Sequence, residues 1–79
     1  MVILEYERSN KVKRYNLKNF RQKHDLTQDE MAKKLGISKS YYVGIELGHV
    51  NPSFKVAEKI YEVFAGEYDD IFELLKKGV

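Results

Sequence analysis

Residues 26–47 read LTQDEMAKKLGISKSYYVGIEL, and this stretch decides the fold. Thr27-Gln28-Asp29-Glu30 has the form of a capping box. The Thr27 hydroxyl can accept from the Glu30 amide while the Glu30 carboxylate reaches back to the first backbone N–H. A helix then runs to about Leu35, with Met31, Ala32 and Leu35 inward, and Gly36 stops it. Ser38 is the next N-cap, and a further helix runs to about Leu47, where Gly48 is a second stop. Only Gly36-Ile37-Ser38 separates the two helices. A turn that tight sets them at a steep angle, and the small Ala32 lets them cross closely. Ile37 and Ile45 plug one core. The spacing predicts a helix-turn-helix, whose second helix is exposed on its far side and suits a DNA major groove.

The pattern extends outward as further helices. Upstream, Leu17, Phe20, Arg21 and His24 share one face at i, i+3, i+4 and i+7, with Asn16 as N-cap and Asp25-Leu26 as the break. Downstream, Asn51-Pro52-Ser53 opens a fourth helix, proline being tolerated in a first turn. Val56, Ile60, Val63 and Phe64 form its apolar stripe, and Gly66 ends it. Asp69 and Asp70 suit the positive end of a short fifth helix, with Ile71, Phe72 and Leu75 inward. The expected fold is all-α: five helices over residues 16–77, joined by short connections. Residues 1–15 form an N-terminal extension. Val2–Glu7, a turn at Arg8–Lys11 and Val12–Tyr15 suit a β-hairpin, and a flexible basic arm fits the same residues. Deleting 1–15 is expected to leave the helices folded.

Seventy-nine residues favour one domain with a modest core. With 33% charged and 43% hydrophobic residues the composition is globular. No cysteine is present, which excludes disulfides, thiolate metal sites and cysteine nucleophiles and fits a reducing, cytoplasmic setting. No apolar run, Val2-Ile3-Leu4 included, is long enough to span a membrane, and the start lacks the features of a secretion signal. The net charge of +2 is unevenly spread. Residues 1–55 hold eleven Lys/Arg against six Asp/Glu, and residues 56–79 hold three against six. A basic front and an acidic back suit a chain that turns one side to a polyanion. No glycine-rich phosphate loop, metal cluster or nucleophile–base pairing argues for an enzyme or a cofactor. His24 and His49 lack the spacing and third ligand of a metal site, and Glu67, Asp69 and Asp70 lack that of a calcium loop.

The run Leu26 to Ser38, followed in register by Ile45-Glu46-x-Gly48, Asn51-Pro52-Ser53 and Asp70-Ile71-Phe72, resembles the Cro/phage-repressor (Xre-type) helix-turn-helix family over about residues 16–75. The resemblance implies a lambda-repressor-like fold, double-stranded DNA as ligand and a two-fold homodimer on a near-palindromic operator. It implies that Gln28 holds a phosphate at a helix N-terminus. Ser38, Lys39 and Ser40 then fall at the start of the recognition helix, where Lys39 can donate to guanine. It further implies an internal ion pair between Arg21 and Glu46. Ser40, Val43, Gly44 and Leu47 share the face expected to meet DNA. Relatives often carry polar or basic residues there, whereas three of these four are apolar or bare.

The remaining candidates are weighed against plainer roles. Val43 can pack on a thymine methyl. Gly44 costs about 1 kcal/mol against alanine inside a helix, so something is expected to approach it closely. Tyr42 sits at a core position, whereas the Tyr41 hydroxyl can reach phosphate or face solvent. His49 and Asn51 lie in the loop after the recognition helix, within reach of phosphate. Lys33 and Lys34 read as a solvated face. The reading that follows is a DNA-binding transcriptional regulator, a repressor by type. The competing reading is an antitoxin or interaction module whose apolar Val43-Gly44-Leu47 stripe docks a protein partner. The fifth helix and the N-terminal segment are the expected dimer surfaces.

Overall fold

The computed structural model describes residues 13–63 and 71–78, with the backbone alone at Ile71 and Phe72. The described helices are α1 Tyr15–Lys23, α2 Gln28–Leu35, α3 Lys39–Glu46, α4 Phe54–Val63 and α5 Ile71–Leu75. Among these residues no strand forms, and Arg14 and Gly78 make one isolated parallel bridge. The predicted hairpin lies mostly outside the described residues. Of its second arm, Tyr15 is helical and Arg14 is buried in the helical unit.

The first three helices end by the same backbone closure. After α1, Asp25 N–H donates to Gln22 O (3.0 Å) and Leu26 N–H to Arg21 O (3.2 Å). After α2, Gly36 donates to Lys33 O (3.1 Å) and Ile37 to Ala32 O (3.0 Å). After α3, Gly48 donates to Ile45 O (3.1 Å) and His49 to Gly44 O (2.9 Å). Each closure needs one residue in the left-handed region. Gly36 and Gly48 adopt it at φ 70° and 80°, where they meet no Cβ penalty. Asp25 adopts it at φ 56°, a conformation that aspartate tolerates better than most side chains. The residue that follows then turns inward: Leu26 and Ile37 both pack against the core.

The starts of α2, α3 and α4 are set by side-chain caps, whereas α1 has no side-chain cap. The capping box is complete: Thr27 Oγ1 accepts from Glu30 N–H (3.1 Å), and Glu30 accepts from Thr27 N–H (2.9 Å). Ser38 Oγ accepts from Tyr41 N–H (3.1 Å). Two starts differ from expectation. Asn16 does not cap α1; it lies inside the helix and donates its Nδ2 to Glu73 O (2.5 Å). Pro52 precedes α4 rather than opening it, and Ser53 is the cap, its Oγ accepting from Val56 N–H (3.2 Å). A serine hydroxyl satisfies an orphan amide that proline cannot.

One core joins all five helices: Leu17 and Phe20, Met31, Ala32 and Leu35, Tyr42 and Ile45, Val56 and Ile60, and Leu74. α2 packs on α3 and α4, while α5 packs on α1. Two assignments change. Val63 is 38% exposed and leaves the α4 stripe to Val56 and Ile60. In α5, Leu74 is the buried residue and Leu75 packs only partly. The fifth helix, expected at a dimer surface, thus spends its buried leucine on its own chain. Phe64, Gly66, Asp69, Asp70 and the side chains of Ile71 and Phe72 lie outside the described residues. Removing the α2 cap tests the local account: Thr27→Ala should cost about 1 kcal/mol in chemical denaturation. A change within error would show the box to be idle.

Candidate nucleic-acid interface

The site begins with a buried ion pair. Arg21 on α1 donates from Nε to Glu46 Oε2 (2.9 Å) and from Nη2 to Glu46 Oε1 (3.0 Å), bridging to the last residue of α3. Both side chains are 90% or more buried. Two parallel bonds fix the plane of the guanidinium as well as its distance. Arg21 also donates to Leu26 O (2.7 Å), which ties the α1–α2 loop to the same point. Burial pushes the Glu46 carboxyl up, but the Arg21 hydrogen bonds, the Tyr42 hydroxyl and the guanidinium charge hold it below its ordinary value. The Glu46 hydrogen bond, outweighing burial, raises Arg21 further. The fully buried Tyr42 hydroxyl sits beside the pair with no hydrogen bond of ordinary geometry among the described residues. Burial first, and then the neighbouring carboxylate, push it far up.

Gln28 joins this network. It is the first residue of α2 and half-buried, and its Nε2 lies 3.5 Å from Glu46 Oε1. Glu46 thereby connects three helices: α1 through Arg21, α2 through Gln28, and α3 itself. The Gln28 amide is thus placed at the α2 N-terminus, where unpaired backbone amides and the helix dipole favour an anion.

The α3 surface is narrower than the sequence implies. Ser38, Lys39 and Ser40 are exposed at its N-terminal end, and Val43, Gly44 and Leu47 are half-buried. The Ser38 hydroxyl is engaged as a cap, so the side chains that project from this end are Lys39 and Ser40. The close approach expected at Gly44 is made by the chain itself. A Cβ there would meet Val50 Cγ2 at 3.1 Å, and Gly44 O accepts from His49 N–H and Val50 N–H. Tyr41 is partly buried, and its hydroxyl accepts from Ser53 N–H (3.0 Å), bracing the start of α4. One edge of α3 is thus covered by the loop that follows it, leaving Lys39, Ser40, Val43 and Leu47 as the outer face. In the apolar stripe proposed to dock a protein, the space above Gly44 is taken by Val50, itself an exposed apolar side chain. His49 and Asn51 are exposed on the covering loop.

Arg14 is the residue that sequence reasoning missed. It is 3% exposed and makes no ion pair among the described residues. Its Nε donates to Leu75 O (2.8 Å), one terminal nitrogen to Ile45 O and to Val50 O (3.0 Å), and the other to Asn51 Oδ1 (2.8 Å). Its backbone N–H donates to Glu46 O (2.9 Å). Burial lowers its pKa. Asn51 therefore holds Arg14 with its amide oxygen. No local pattern announces a side chain whose partners are mainly backbone carbonyls 31 to 61 residues away. Among the described residues no cluster could hold a metal, and no helix is long and apolar enough to cross a membrane.

Comparison with known proteins agrees with this geometry. The helix-turn-helix family profile matches residues 17–71. An uncharacterized HTH-type transcriptional regulator of Methanocaldococcus jannaschii is 46% identical over 56 residues, covering 71% of this chain and 85% of that protein. One from Archaeoglobus fulgidus is 44% identical over 59 residues, covering 75% and 83% respectively. The uncharacterized HTH-type transcriptional regulator YqaE of Bacillus subtilis is 42% identical over 63 residues, covering 80% of this chain and 51% of that longer protein. No solved structure matches.

The ion pair sets a pH expectation. Glu46 is depressed in the folded state, so its stabilisation is complete above the unfolded value near 4.5. It is lost as pH falls through the lower folded value. At neutral pH, Arg21→Ala should cost about 3 kcal/mol or more because it strands a buried carboxylate. Arg21→Met/Glu46→Leu should cost less, and should lose less stability than the wild type on acidification below about pH 4.5. Denaturant titrations at neutral and acidic pH check both. A double variant as unstable as Arg21→Ala would contradict this reading.

Proposed function

This chain belongs to the helix-turn-helix family of Cro/phage-repressor (Xre) type, and on that premise we propose that it binds operator DNA as a homodimer, inserts α3 into the major groove and represses transcription. It is a DNA-binding regulator, of a family of regulators rather than enzymes. The observation that carries the finer reading is the outer face of α3, with Lys39 and Ser40 at its start and Gln28 anchored beside it on the same buried carboxylate. Two helix N-termini with polar side chains then serve one phosphate backbone and one groove. Lys39 donates to a base edge or phosphate, and Ser40 lies one position further along. The α3 N-cap at Ser38 offers amides, and Val43 and Leu47 contribute apolar contact to thymine methyls. Tyr41 still has its hydroxyl proton to donate, and Asn51 its amide nitrogen, toward a flanking phosphate beside His49. A repressor acts by occupying its operator in the cytoplasm.

A second copy of the chain is the partner that α4 suits. Phe54 is 82% exposed and Tyr61 49%, and with Ala57 and Glu58 they line an apolar hollow. Lys55, Glu58, Lys59 and Glu62 are exposed along the adjoining face. Reversing the helix direction across a two-fold axis sets Lys55 opposite the partner's Glu62, whereas parallel pairing sets like against like. A single helix pair buries little area, so micromolar association is expected. By sedimentation, Phe54→Glu should be monomeric at concentrations where the wild type is a dimer. An unchanged mass would move the interface elsewhere.

DNA binding is tested by anisotropy on a random duplex pool at roughly 50 and 200 mM salt. Affinity should fall steeply with salt, and Gln28→Ala and Lys39→Ala should weaken binding and reduce the salt slope. No binding at low salt would refute the assignment.

A further inference from the structure

We infer that Arg14 is a positioning residue for DNA recognition, clamping the C-terminal end of α3 to the chain's own C-terminal helix so that the recognition helix is presented at one angle. The inference rests on the DNA-binding reading above.

Tyr42 and Ile45 pack α3 on the core without directional bonds, and the Arg21–Glu46 pair is one directional anchor at its end. Arg14 supplies the second point of attachment. Both Ile45 O and Glu46 O, among the carbonyls left without intrahelical partners at the end of α3, accept from it. Its positive charge sits at the negative end of the α3 dipole. The same guanidinium reaches Val50 O and Asn51 Oδ1 in the covering loop, and Leu75 O at the end of α5. Neighbouring backbone closes the joint: Gly78 N–H donates to Lys13 O (2.8 Å). One planar fork of donors therefore fixes three segments far apart in sequence relative to one another. Lysine, a point charge on a flexible stem, cannot reproduce that fork.

Burial removes Arg14 from the list of phosphate contacts, since at 3% exposure its charge faces carbonyls and not solvent. Its influence must then pass through the angle of α3. Base-edge hydrogen bonds weaken steeply with distance and misalignment, whereas attraction to the phosphate backbone is long-ranged and tolerant. A tilted α3 should lose discrimination between sequences while keeping non-specific affinity and its salt slope.

The test compares wild type, Arg14→Met and Arg14→Lys on a duplex selected from a random pool and on a scrambled duplex. Folded fraction is measured by circular dichroism on the same samples, and binding is compared per folded molecule. Discrimination should fall by about tenfold or more, the worth of one good base contact, with the salt slope unchanged and with Arg14→Lys giving incomplete rescue. Amide shifts from Val43 to Asn51 should move in the free variants. If Arg14→Met does not fold, Arg14→Lys carries the same comparison. Intact discrimination in a folded variant, with stability alone reduced, would overturn the positioning role. A fall in salt slope would overturn it too, by making Arg14 a phosphate contact. Absence of wild-type binding would instead refute the DNA-binding reading beneath it.

Discussion

The surface formed by α3 and the start of α2 depends on one buried contact, the two-bond pairing of Arg21 with Glu46. A buried ion pair is a poor source of net stability, because desolvating both charges offsets most of their attraction. What it supplies is geometry. A planar fork against a planar carboxylate has one good arrangement, and here that arrangement sets the distance between α1 and the end of α3. Glu46 then lends an oxygen to Gln28, so the contact that seats α3 also places the residue beside it. An apolar pair of similar volume could fill the same space, but it would impose no comparable orientation and would leave the Gln28 amide without an anchor.

Local backbone rules carry much of the rest. Three successive helices end by the same two-bond closure, and each closure turns the chain so that the next capping side chain can act. Between α2 and α3 the left-handed Gly36, the inward Ile37 and the capping Ser38 are consecutive. That leaves no spare residue in the turn. At the far end of α3 the closure through Gly48 folds residues 48–51 back over the helix, placing Val50 above Gly44. The same turn that ends α3 therefore also narrows its exposed face.

The legible features were those written in a few neighbouring residues. The capping box at Thr27 and Glu30, the glycine stops at Gly36 and Gly48, the turn, the core positions Met31, Ala32, Leu35, Tyr42 and Ile45 and the ion pair all stand as read, the pair because the resemblance supplied it. Features that depend on distant partners were not legible. Nothing around Arg14 marks it as a buried cation, because its acceptors are carbonyls brought to it by the fold. Gly44 signalled a close approach, but not that the neighbour would be Val50. Asn16 looked like a cap because of its type, yet its amide serves Glu73 O across the α1–α5 contact. Val63 continues an apolar period that burial does not follow, while Phe54, which no sequence pattern singles out, is the most exposed large apolar side chain among those described. The Ser53 cap is a local feature, a serine three residues before Val56, and its hydroxyl rather than Pro52 sets the start of α4.

The account makes α3 and the start of α2 one surface, separate from the apolar stripe of α4. An amide chemical-shift titration with a random duplex pool at low salt tests this most directly. The account predicts shifts concentrated at Gln28, Ser38 to Ser40, Val43 and Leu47, with His49 and Asn51 at the margin. Shifts concentrated along Phe54 to Tyr61, with Gln28 and the outer face of α3 unmoved, would contradict it.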